Sequence, residues 1–99
     1  MDIKIHSVRF DADSKLIDFI KSKVTKLIQF NDDIIAAEVF LRLDNSQDME
    51  NKITEVKIDI PGNNLFAKKQ SKTFEEATDL AVDALRKQVK RKKEKLRKG

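Results

Sequence analysis

Residues 74–99 read FEEATDLAVDALRKQVKRKKEKLRKG. Their apolar positions recur at helical spacing: Phe74, Ala77, Leu80, Ala81, Ala84, Leu85 and Val89 fall on one stripe. Thr73, followed three residues later by Glu76, supplies a capping box at which the helix opens. Continued towards the C-terminus, the same line meets Lys92 and Lys95, so core contact is predicted to stop near Val89. A helix running to about Leu96 is roughly 36 Å long at 1.5 Å per residue and projects past whatever layer it covers. Such a helix, apolar along one face for only half its length, needs a sheet to lie on and leaves its second half in water.

The segments upstream supply that sheet. In IKIHSVRF, residues 3–10, apolar residues start at alternate positions, which predicts a strand with a break in parity near Ser7. Asp13 is placed to cap a first helix, in which Leu16, Ile17, Ile20, Val24, Leu27 and Ile28 share a face about 120° wide. Lys15, Lys23 and Lys26 collect beside that stripe with Phe19 among them, and Asn31 to Asp33 end the helix. Ala37, Val39, Leu41 and Leu43 alternate with Glu38, Phe40 and Arg42, the pattern of a half-buried strand. DNSQDMEN is turn chemistry, and Val56, Ile58 and Ile60 then alternate with Glu55, Lys57 and Asp59 in an antiparallel return. In IPGN, Pro61 suits the second and Gly62 the third position of a type II turn into a short basic strand, NLFAKKQ. The expected fold is α+β: a β-α-β-β-β-α sandwich of one sheet with two helices on its apolar face.

At 99 residues the chain is expected to be one domain, with 90–99 a basic helical extension or tail. It has no cysteine, which removes disulfides, thiolate zinc sites and cysteine nucleophiles. Its N-terminus, MDIKIHS, has no hydrophobic signal core, and no apolar run approaches the roughly 20 residues of a membrane span. A cytoplasmic, soluble protein is the expectation.

The formal net charge of +4 hides a segregation. Residues 85–99 hold nine bases and one acid, whereas residues 1–84 hold twelve bases and sixteen acids. Within the last helix FEEATDLAVDAL carries four acids and no base. The helix dipole accounts for Glu75 and Glu76 in the first turn, each worth about 0.3–1 kcal/mol, but its influence fades within a turn and does not account for nine bases. Adjacent like charges repel, so an external anion must offset them. A phosphate backbone does this by releasing counterions, and roughly six neutralised phosphates give a log–log salt slope near −4 to −5. Arg86, Lys90, Lys93 and Arg97 form one solvent-facing row, with Lys87 and Arg91 beside it. A solvated tail is the bland reading of the same residues. A membrane-surface helix is a third, but residues 86–99 offer it only Val89 and Leu96 as apolar anchors.

Catalytic material is sparse. One histidine, His6, has no partner that spacing identifies, and the pairs Asp32–Asp33 and Glu75–Glu76 sit at helix ends where caps and dipoles explain them. PGNN lacks the glycines of a phosphate-binding loop. Neither a catalytic residue, a metal ligand nor a cofactor is expected, and the chain is read as a non-enzyme. Phe40, on the polar side of its strand, either stacks on a base or is packed by a neighbouring loop.

The run IDIPGNNLFAKKQSKTFEEATDLAVDALRKQVKRKKEK, together with KVTKLIQFNDDI, resembles the short ribosome hibernation-promoting and ribosome-associated inhibitor proteins of bacteria. That family shows a PGN-type turn, a short strand, an aromatic residue and an alanine-rich helix grading into lysine and arginine, and the likeness covers nearly the whole chain. It implies a fold related to double-stranded-RNA-binding domains. It also implies docking on the small ribosomal subunit and its rRNA, in the channel of messenger and transfer RNA, silencing translation in stationary phase or stress. By position, Lys23 and Lys26 match the basic end of the family's first helix, and Arg86, Lys87, Lys90 and Arg91 the basic part of its second. With Lys93 these are the expected RNA-binding residues. Two features depart from the family. Lys68 and Lys69 stand where many relatives carry acids, and the chain ends at Gly99 without the dimerisation domain of the long forms. A free monomer, unable to pair ribosomes unaided, is the expectation. The alternative reading is a general structured-RNA or DNA-binding module.

Overall fold

Strand parity sets the layers. In the computed structural model, which describes residues 3–45 and 49–98 and only the backbone at 93 and 95–98, the elements are β1 (Ile3–Ser7), α1 (Ser14–Gln29), β2 (Ala36–Leu43), β3 (Lys52–Ile60), β4 (Asn63–Ser71) and α2 (Phe74–Lys98). The sheet order is β1-β2-β3-β4, with β1 parallel to β2 and the other two pairings antiparallel. Ile5, Val39, Val56 and Ala67 line up across the four strands, as do Ile3, Ala37, Ile58 and Leu65. These rows face the helices and meet Ile20, Val24 and Leu27 of α1 and Ala81, Val82, Leu85 and Val89 of α2 in one core. Burying a side chain such as Leu85, which has no exposed surface, contributes about 1.5–3 kcal/mol. The α+β fold with element order β-α-β-β-β-α is the one expected from the sequence.

The local signals act as their chemistry requires. The Asp13 carboxylate accepts from the Leu16 amide at 2.8 Å, and the Thr73 hydroxyl accepts from the Glu76 amide at 3.1 Å. Asn31, buried behind α1, donates its side-chain amide to the Leu27 carbonyl at 2.8 Å and so closes that helix. Gly62 has φ +79°, which a side chain at that position would oppose. Residues 46–48 of the expected DNSQDMEN turn lie outside the described residues. Around them the Asp44 amide donates to the Asn51 carbonyl at 2.8 Å.

Topology also fixes helix direction. A parallel β1–β2 pair needs a crossover, and α1 supplies it by running antiparallel to both strands. Thr78, near the start of α2, meets Thr54, whereas Gln88 reaches back to the Phe66 carbonyl. Since Thr54 pairs with Lys69 near the end of β4, α2 runs antiparallel to β4. The two helices therefore point the same way, and their C-terminal ends share the end of the sheet that carries the Pro61–Gly62 turn. Val89 is buried, and residues 90–98 continue for roughly 13 Å beyond it.

Two expectations are corrected. The first strand does not reach Phe10: it ends at Ser7, Arg9 turns the chain with φ 66°, and Phe10 folds back to stack on Phe74 with ring centroids 5.1 Å apart. The stripe of α2 is also rotated. Leu80 is 45% exposed, while Thr78 and Val82 are buried. The rotation places the Thr78 hydroxyl 3.2 Å from that of Thr54, which lies 3.5 Å from the Phe74 carbonyl as its donor, so two buried hydroxyls satisfy each other inside the core.

Thr54→Val and Thr78→Val should each cost about 1 kcal/mol, and the double variant should cost less than their sum because the second change removes the group left unpartnered by the first. Urea unfolding of the four proteins measures the coupling; strict additivity would show that the hydroxyl pair contributes nothing.

Candidate nucleic-acid interface

The parallel helices decide which expected residues come together. Lys26 stands in the last turn of α1, exposed, and makes no ion pair among the described residues. Arg86, Lys87, Lys90 and Arg91 are exposed on α2 from its fourth turn onward. All lie towards the common C-terminal end of the helices, and Lys26 stands within the last turn of α1, where the partial negative charge of the exposed carbonyls favours a cation. Lys93 lies on the same helix, but its side chain is outside the described residues. Lys92, on the line of the apolar stripe, is half-buried.

Lys23 has a different environment. Its ammonium is 3.1 Å from the Asp79 carboxylate of α2 and 5.4 Å above the Phe19 ring. It tethers α1 to the acidic half of α2, and a phosphate has to compete with Asp79 for it. Lys87 is paired in the same way with Asp83, one turn earlier, at 3.3 Å. Asp79 and Asp83 of α2 thus neutralise Lys23 and Lys87, whereas Arg86, Lys90 and Arg91 make no ion pair among the described residues.

The opposite face of the sheet carries mixed charge. The His6 ring lies 2.8 Å from the Glu38 carboxylate and stacks on Phe40 with centroids 4.9 Å apart, so Phe40 is packed by a neighbouring strand and not by a loop. Arg42 pairs with Glu55 at 3.3 Å. Lys68 belongs to this face, across the register from Glu55, while Lys69 falls on the helix-bearing face beside α2. Among the described residues no cluster of histidine, cysteine, aspartate or glutamate could hold a metal ion, and no helix is long and apolar enough to cross a membrane.

The sequence profile described as sigma 54 modulation protein / S30EA ribosomal protein matches residues 3–97. The chain belongs to that family. It is the hibernation-promoting family that the PGN turn and the graded helix resemble. A ribosomal subunit interface protein from Coxiella burnetii has the same fold, with a TM-score of 0.82 at 19% identity over 94% of this chain and 98% of that one. The N-terminal domain of Thermus thermophilus Protein Y gives a TM-score of 0.77 at 27% identity, over 92% of this chain and 98% of its own. A comparison with curated protein sequences gives no match.

The Lys23–Asp79 tether joins side chains 37% and 51% exposed, so water screens it. Lys23→Ala or Asp79→Ala should each lower stability by less than about 1 kcal/mol, with the difference from wild type shrinking as salt rises to about 1 M. Urea midpoints at two ionic strengths check this; a loss that salt does not reduce would point to packing rather than charge.

Proposed function

We propose that this chain binds the small ribosomal subunit in the channel used by messenger and transfer RNA, and there silences translation during stationary phase or stress. Family membership supports a ribosomal site of action, and both structural neighbours are full-length matches to this fold. The observation that carries the reading is that Lys26, Arg86, Lys90 and Arg91 are all exposed on the stretches of two parallel helices that run towards the same end of the sheet, and that α2 continues beyond buried Val89. A rigid body with a cationic end needs no chemistry to act. It occupies space, and lysine and arginine hold it against RNA phosphates without reading bases. Lys23, Lys87 and Lys93 join this surface in the proposed complex, Lys23 and Lys87 by exchanging their carboxylate partners for phosphate. A cytoplasmic location follows from the same reading.

A general RNA- or DNA-binding module shares the electrostatics but not the preference for a folded RNA surface. Cosedimentation with purified small subunits at low and moderate salt separates the two, with naked duplex RNA as competitor. Binding to subunits should exceed binding to duplex, and changing Arg86, Lys90 and Arg91 together to glutamine should flatten the log–log salt slope by about 2–3. No sedimentation with subunits at either salt, or equal affinity for duplex, would reject the ribosomal assignment.

A further inference from the structure

Leu80 is the residue whose position the sequence pattern misplaces, and the surface it occupies is a groove between the β4 edge and α2. Among the described residues Lys69, Leu80, Asp83, Ala84, Lys87, Gln88 and Arg91 line it. Three cations stand against a single carboxylate, and that carboxylate is already engaged by Lys87 at 3.3 Å. Lys69 makes no ion pair among the described residues and is exposed. Lys87 and Arg91 are one turn apart on α2, roughly 6 Å along the axis, and form the opposite wall. Gln88 fixes the two walls: its side-chain amide donates to the Phe66 carbonyl at 3.2 Å, using an edge-strand acceptor that β3 leaves free.

We propose that the RNA-backbone surface extends into this groove, where Lys69 joins Lys87 and Arg91 in holding phosphates while exposed Leu80 and half-buried Ala84 form an apolar floor for the sugar. The proposal rests on the ribosomal reading and extends it from the helix tip to the sheet edge. It distinguishes two adjacent lysines that composition treats alike. Lys69 shares the groove with Lys87 and Arg91, and Lys68 projects from the far face beside Glu55. A long-range attraction towards RNA would feel both lysines almost equally, whereas direct phosphate contact engages only the one in the groove.

Lys69→Gln and Lys68→Gln test this with wild type on purified small subunits, over a series of salt concentrations. Removing one phosphate contact should flatten the log–log slope by about 0.9 and weaken binding roughly eightfold at about 0.1 M salt. That is expected for Lys69→Gln, while Lys68→Gln should leave slope and affinity close to wild type. Amine labelling of the wild-type complex gives an independent readout, with Lys69 protected by bound subunits and Lys68 labelled as in the free protein. Equal effects of the two substitutions, or Lys69 labelled equally with and without subunits, overturn the groove site while leaving the ribosomal reading intact. Failure of the wild-type chain to bind subunits at all overturns both. A groove that retains wild-type RNA affinity in Lys69→Gln but loses binding of an acidic peptide also counts against it, since its occupant is then a protein.

Discussion

The anchoring of α2 on β3 and β4 is the constraint on which the cationic second half of that helix depends. An isolated segment with the composition of residues 86–98 is a poor helix: its like charges stand three and four apart and repel, and short helices are marginal in water even without that cost. Here nucleation is already accomplished by the buried turns from Phe74 to Val89, where Ala77, Ala81 and Leu85 have no exposed surface. Propagating a helix costs far less than starting one. The basic extension is therefore presented in a fixed direction at the expense of the core beneath its first half.

Helix direction turns that extension into a surface. Because β1 and β2 are parallel, α1 must return antiparallel to them, and because β4 is parallel to β2, α2 returns alongside α1. The two helix dipoles then add their negative ends on one side of the molecule. Lys26 and the basic half of α2 gather there, while Glu75, Glu76 and Asp79 lie at or near the opposite end. The change of sign along α2 thus has a spatial meaning. Its acidic half serves the interior of the fold, through the Asp79–Lys23 tether and the favourable first-turn dipole, and its basic half serves the outside.

Much of this was legible in the sequence because it is encoded by local rules. Alternation assigned the inner faces of β2 and β3, and Asp13, Thr73 and Gly62 each sit where one backbone group requires that residue type. The rotation of α2 was not legible. Hydrophobicity ranks Leu80 above Thr78, yet the threonine is buried because β3 offers it Thr54, a partner fixed only by the packing of elements 24 residues apart. The end of β1 escaped for a related reason: Phe10 continues an apolar pattern but finds its contact on Phe74, across the fold. For the interface, sequence located the cations but not their existing partners. Lys23 and Lys87 arrive already paired with Asp79 and Asp83, whereas Lys26 does not.

The same separation of roles bears on how a fold can persist while most of its residues change, as it does between this chain and its structural neighbours. The core needs parity, volume and a few caps, and many sequences satisfy those together. A phosphate-binding surface is equally permissive in a different way, because it requires positive charge at certain heights along a helix and not a particular side chain reading a base. Neighbouring lysines on one strand are where that permissiveness ends. Lys68 and Lys69 are interchangeable in net charge but project to opposite faces of the sheet, so only direct contact, and not the overall field, can tell them apart.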